Sequence, residues 1–351
     1  MSNKKILFLF GAPLIAVMFW SMRVYYDLAI WKYEGPSVIF VVYPGEGFSK
    51  INGRLSKMGL ISNPKVFHRY CQLKDYMTKF RVGSFEITNG LNLTDVADTL
   101  VYGEPLTITV TIPEGKNIYD VGKILDEKKI VSYKDFIDLA RDPNFVKNLN
   151  LPGDTVEGYL FPDTYKFSPG TPASMVIDLM VKQFKRNFTS FDLSNSSLNP
   201  HEIVILASIV EKETGAPEER PSIAGVFLNR LKKRMRLQSD PTTIYGSYEK
   251  FQGNLTKRDL QESNPYNTYK ISGLPIGPIC NPGIKAIEAV LNPEVHQNLY
   301  FVSKNDGTHV FSPNYMEHSR AVREWQQNRR NREGKSWRDL NKKTSNPTHS
   351  F

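Results

Sequence analysis

The chain has 351 residues, carries 45 Lys and Arg against 36 Asp and Glu, and has a formal net charge of +9. That length is enough for two or three domains with a sizeable core. Six histidines without an HExxH and no Cys/His set at zinc-ligand spacing argue against a metal centre, so no metal and no cofactor is expected.

Lys4 and Lys5 precede an uncharged apolar run from Ile6 to Met22 that ends at Arg23. The run is about the minimum length of a membrane-spanning helix. Trp20, Tyr25, Tyr26 and Trp31 fall where an interfacial aromatic belt would lie. No small-x-small cleavage site follows the run, which favours an uncleaved single-pass anchor over a signal peptide. With the two lysines inside, everything after about Tyr33 is expected outside the cytoplasm.

An internal repeat follows. Tyr43-Pro44-Gly45-Glu46-Gly47 leads into Ile51, Leu55, Leu60-Ile61-Ser62 and Phe67. Ile112-Pro113-Glu114-Gly115 leads into Val121, Leu125, Ile130-Val131-Ser132 and Phe136. Each copy reads as strand, Gly turn, helix, short link and second helix, then an aromatic strand ending at glycine. The β-α-α-β order is that of small glycan-binding LysM modules. One copy, residues 38–103, looks complete, while the second carries an insertion between Asp142 and Glu157. The alternative is two unrelated α+β units that share only turn chemistry. The two cysteines, Cys71 and Cys280, lie far apart and read as buried free thiols, with a disulfide compatible but not implied.

Asn199, Pro200 and Glu202 supply an N-cap, a first-turn proline and a capping-box acid. The body from Ile203 to Val210 is apolar nearly all round, which predicts a helix buried on most faces. It ends Glu211-Lys212-Glu213-Thr214 before Gly215. At 3.6 residues per turn, two acids two positions apart point roughly 200° away from each other. Glu213 continues the ridge of Leu206, Ile209 and Val210, and Glu211 that of Val204 and Ala207. Partial burial near the negative end of a helix dipole would raise such a carboxyl toward the range of a general acid. The competing reading is a solvated helix end with local ion pairs.

Pro217 to Leu231 reads as a second helix with Arg230 near its end. Beyond it, Met235 to Gly246, Pro265 to Tyr269 and Gly273 to Gly283 are rich in Asn, Gln, Tyr, Thr and Pro. Such loops suit a carbohydrate groove, where amides and hydroxyls are read by hydrogen bonds and aromatic faces pack on sugar rings. Well-capped surface turns have the same composition. From Val322 onward there are eight Lys/Arg against three Asp/Glu, which reads as a mostly disordered tail entered by a helix end near Trp325. Outside the cytoplasm such a tail would meet no nucleic acid; anionic headgroups or cell-wall polymers, or no partner, fit better.

Three blocks together resemble the endolytic murein transglycosylase (YceG-like) family: Ala207 to Thr214, Val226 to Leu231, and Met235 to Thr242. Tyr266-Asn267-Thr268-Tyr269, Gly273-Leu274-Pro275 and Leu299 to Val302 continue the likeness in order. The resemblance implies an α+β protein. It would comprise a cytoplasmic N-terminus and anchor (1–33), a LysM-like module (34–103) and a second α+β module packing on the catalytic part (104–170). A transglycosylase domain (171–326) and a basic, disordered tail (327–351) would complete it.

It also implies an inner-membrane, single-pass enzyme whose periplasmic or extracytoplasmic domain cuts peptidoglycan glycan strands internally and leaves 1,6-anhydro-N-acetylmuramic acid ends. Peptidoglycan synthases are implied partners. A lytic transglycosylase needs a single acid/base, because the sugar's own 6-hydroxyl replaces water. By motif that residue is Glu213. Gln238, Asp240, Thr242, Asn267 and Tyr269 would hold the sugar, with Glu211 and Arg230 as secondary candidates. A muramidase would need a second carboxyl, for which Asp240 or Asp259 could serve. A non-enzymatic glycan-binding scaffold would need neither.

Overall fold

The structure, a computed structural model, describes residues 15 and 17–332. The anchor expected from Ile6 to Met22 lies largely outside these residues, and so does the basic tail beyond Arg332. Among the described residues no helix is long and apolar enough to cross a membrane. The fold is α+β, mostly helical, with two-stranded sheets. Two compact units are present. The first takes the chain to Val110 with Glu127–Val131 and Lys166–Pro172; the second comprises Thr111–Asp126, Ser132–Tyr165 and the chain from Ala173.

In the first unit, β1 (Val38–Val42) pairs antiparallel with β2 (Gly83–Ile87), Phe40 facing Phe85. Phe40, Val42, Phe85 and Ile87 are buried, as the two-residue period of a strand requires of one face. Between the strands run α1 (Phe48–Lys57) and α2 (Pro64–Leu73), and α3 (Leu93–Tyr102) follows β2. Ile51, Leu55, Phe67, Cys71, Val96 and Leu100 join one core with the sheet. The Asn63 side chain caps α2 by accepting from the backbone N–H groups of Lys65 and Val66. It also donates to the buried carboxylate of Asp27 at 3.1 Å, which Arg23 Nε meets at 3.2 Å. The chain leaving the apolar run is thereby fastened to this module.

The second β-α-α-β run is β3 (Ile108–Thr111), α4 (Ile118–Glu127), α5 (Tyr133–Ala140), α6 (Pro143–Asn148) and β4 (Thr164–Phe167), β3 pairing with β4. Helix α6 occupies the insertion seen in the sequence. The residues of this run are shared between the two units.

The second unit is built on α8 (Pro200–Glu213), which follows α7 (Ala173–Phe188). The capping box forms as its sequence indicates: Asn199 accepts from the His201 and Glu202 amides, and Glu202 accepts from Asn199 N. Ile203 through Val210 are all buried. Helix α8 packs against α9 (Arg220–Lys232) and α12 (Ile284–Leu291). Its one buried hydroxyl, Ser208, is satisfied twice: it donates to Ile205 O and accepts from Ile279 N at 3.0 Å.

Helices α10 (Asp240–Gly246) and α11 (Lys257–Gln261) lie in the polar segment between α9 and α12. A hairpin of β5 (Tyr300–Ser303) and β6 (His309–Ser312) leads into α13 (Tyr315–Val322), and a π-helical turn at Arg323–Gln327 carries Trp325. Cys71 and Cys280 are both buried free thiols.

Candidate active site

The two acids at the end of α8 diverge as their spacing requires. Glu211 accepts from Arg220 Nη2 at 3.3 Å and from the Gly283 amide at 3.2 Å, so it is engaged on the α9 and α12 side. Glu213 instead accepts a 2.6 Å hydrogen bond from Ser239 Oγ and lines a cleft of about 340 Å³. That volume falls at the lower end of the range of ligand pockets, roughly 300–1,000 Å³. Removal from bulk water pushes the Glu213 carboxyl up to about 7; the charge of Asp240 adds to the rise, while Ser239 and Arg230 oppose it. At that value the group exists in both protonation states near neutrality, which suits an acid that must later act as a base.

Gln238 and Asp240 reach the cleft because the chain before α10 alternates. Leu237 and Ser239 are buried, Gln238 and Asp240 exposed. Gln238 takes a left-handed backbone, φ 49°, which is uncommon for a residue with a Cβ and sharpens the turn. Asp240 accepts from Tyr269 Oη at 2.7 Å, so both side chains share one edge of the cleft.

Thr242 and Asn267, expected at the sugar, are buried and engaged within the protein. Thr242 Oγ1 donates to Ser239 O at 2.6 Å and lies 2.8 Å from Thr268 Oγ1, which in turn accepts from Ser239 N at 2.9 Å. Asn267 Nδ2 donates to the carbonyls of Asp259, Leu260 and Glu262, and its Oδ1 accepts from Thr243 Oγ1 and Tyr269 N. These two residues fix Ser239 and Tyr269 and do not line the cleft. Asp259 caps its own helix through Thr256 and is likewise absent from the cleft.

Arg230 is a buried strut. Its Nε donates to Leu299 O at 2.6 Å and its Nη1 to Leu237 O at 2.7 Å. One carbonyl leads into β5 and the other into Gln238, so a single guanidinium sets both walls against the floor that holds Glu213. Burial lowers its pKa.

The wall from β5 and α13 holds none of the site residues expected from the sequence, although Leu299 to Val302 is one of the blocks that carry the family likeness. It brings Tyr300, Tyr315 and His318 to the cleft. The Tyr300 and His318 rings stack at 5.0 Å, and Arg230 Cζ lies 5.1 Å from the Tyr300 centroid. Burial, then the Arg230 charge, lower the His318 pKa, which favours a neutral ring.

A second perturbed acid, Glu157, lies outside the cleft. It is 1% exposed and accepts from Ile118 N at 2.9 Å and Asn281 Nδ2 at 3.2 Å. Burial pushes it up to about 8. It ties the start of α4 to the loop before α12. The following Gly158, φ 86°, is required there, since a Cβ would sit 2.5 Å from Pro278 Cγ. Among the described residues, no group of His, Cys, Asp and Glu is arranged to hold a metal ion.

The family model for the YceG-like family matches residues 40–324. An endolytic murein transglycosylase of Bacillus subtilis (strain 168) is 32% identical over 298 residues, covering 79% of this chain and 81% of that protein. One from Streptococcus pneumoniae (strain D39) is 30% identical over 318 residues, covering 80% of this chain and 57% of that protein. The crystal structure of a YceG-like protein from Listeria monocytogenes matches with a TM-score of 0.57 at 30% identity, over 81% of this chain and 98% of that one.

Proposed function

This chain belongs to the YceG-like family, and on that premise we propose that it is a membrane-anchored endolytic lytic transglycosylase of peptidoglycan. The observation that carries the reading is Glu213: a carboxyl raised to about 7, in a cleft, at the end of a rigid buried helix. Its substrate is the MurNAc-GlcNAc β-1,4 bond within nascent strands. Protonated Glu213 gives its proton to the bridging oxygen as the C1–O bond breaks. The ionised carboxylate then takes the proton of the muramyl 6-hydroxyl as that oxygen bonds to C1. A 1,6-anhydro end forms and no water is consumed.

Gln238, Asp240 and Tyr269 act on the sugar directly, the Asp240 carboxylate opposing the positive charge that develops at C1. Thr242 and Asn267 serve by positioning that edge, and Arg230 by holding both walls. Glu211 anchors the helix end.

Asp240 also keeps a muramidase reading open, because it is a second carboxyl in the same cleft. Mass spectrometry of products from uncrosslinked strands separates the two. The transglycosylase yields fragments one water lighter than hydrolysis products and free of ¹⁸O from labelled water; reducing ends carrying ¹⁸O would instead establish a hydrolase. A glycan-binding scaffold would give no cleavage.

Residues 6–22 form the single inner-membrane span in this reading, with the catalytic part on the periplasmic or extracytoplasmic side. Protease accessibility in spheroplasts tests this orientation, and protection of the catalytic part would refute it. The first β-α-α-β unit is LysM-like and contacts or positions the strand. Synthases of the strand are proposed partners; equal recovery with the full chain and an anchor-swapped chain would count against recruitment through the anchor.

A further inference from the structure

Tyr315 is 70% exposed. Among the described residues of the second unit it is the one exposed aromatic side chain, and it lies on the cleft that holds Glu213. Exposure of a single ring is ordinary on a protein surface; its place on the lining of the Glu213 cleft is what offers a flat face to a ligand bound there.

The ring is held, not loose. Tyr315 opens α13, whose N-cap Asn314 accepts from Glu317 N. Its edge meets Tyr300 at 6.2 Å, and His318, one helical turn on, lies 6.4 Å from it while stacking on Tyr300. The Tyr300 ring in turn packs on the Arg230 guanidinium. Through Arg230, bonded to Leu299 O and Leu237 O, this aromatic wall is in fixed register with Gln238 and Asp240. The wall therefore belongs to the site mechanically as well as by location.

We propose that Tyr315, backed by Tyr300 and His318, is a stacking platform for one N-acetylhexosamine ring of the glycan strand, a subsite separate from the edge formed by Gln238, Asp240 and Tyr269. The apolar C–H face of a pyranose fits a flat ring, while its hydroxyls remain in water. The neutral His318 ring behind it adds no competing charge. This subsite rests on the transglycosylase reading of Glu213 and adds to it a determinant of strand grip that no acid/base chemistry requires.

The test uses the full-length chain with Glu213→Gln, so that strands bind without being cut, and measures binding of uncrosslinked glycan strands. Tyr315→Ala in that background should weaken binding about three- to tenfold, the scale of a lost aromatic contact, and Tyr315→Phe should retain it. With Glu213 intact, Tyr315→Ala should raise KM by a similar factor and leave kcat nearly unchanged. Equal binding by the Ala variant, or equal loss in Phe and Ala, would overturn the platform alone. No binding of strands by the Glu213→Gln parent would overturn the glycan reading and the platform with it.

Discussion

Ser239 Oγ donates to Oε1 of Glu213 at 2.6 Å, and Ser239 is itself held at N and O by Thr268 and Thr242. The side chain that aims the acid is thus buried and fixed, while the acid faces the cleft. A donor to the carboxylate stabilises its ionised form and lowers its pKa. The neighbouring Asp240 charge does the opposite.

Activity that needs protonated Glu213 should fall as pH rises through about 7. Ser239→Ala removes the donor, so the alkaline limb should move to higher pH. Asp240→Asn removes a like charge and should move it to lower pH. Rate profiles on uncrosslinked strands check both signs, and parallel shifts in one direction would contradict the assignment.

Arg230 donates to carbonyls on both walls while almost wholly buried. Arg230→Met leaves those acceptors unpaired, each costing about 1–3 kcal/mol. Chemical denaturation should show a loss on that order. Arg230→Lys should recover only part of it, because one ammonium cannot reproduce the planar fork.

Glu157 binds its proton more tightly in the folded protein, at about 8 against an ordinary 4.5. Its contribution to stability is fully present below pH 4.5 and is lost as pH rises to about 8. Glu157→Gln, which cannot ionise, should flatten the decline of melting temperature between pH 5 and pH 8. Glu213 leaves a residual slope that ends near pH 7. An unchanged slope in the variant would show that the Glu157 proton is not linked to folding.

Helix α8 was legible because its signals are local: the Asn199–Glu202 box, an unbroken apolar body, and two acids whose spacing alone separates their directions. The β-α-α-β order was legible from turn glycines and repeated apolar positions for the same reason. Thr242 and Asn267 look like sugar ligands in sequence because residue type reports hydrogen-bonding capacity and not which way a side chain points in a seven-residue helix or a loop. Tyr315 and His318 lie outside every motif, and Tyr300 sits in the Leu299–Val302 block without any sign of a cleft role, because their place at the cleft depends on Arg230 joining Leu299 to Leu237, contacts 69 and 7 residues away in the chain. Glu157 is a lone loop acid whose partners, Ile118 and Asn281, are 39 and 124 residues distant. Its ionisation is a tertiary property.

The most direct measurement compares the full chain with Glu211→Gln and Glu213→Gln on uncrosslinked glycan strands, counting internal fragments with 1,6-anhydro ends by mass spectrometry. Glu213→Gln should lower their rate of formation by about 10²–10⁴-fold. Glu211→Gln should keep the same product, with its loss confined to stability. Anhydro ends formed at an undiminished rate by Glu213→Gln would rule out Glu213 as the acid/base.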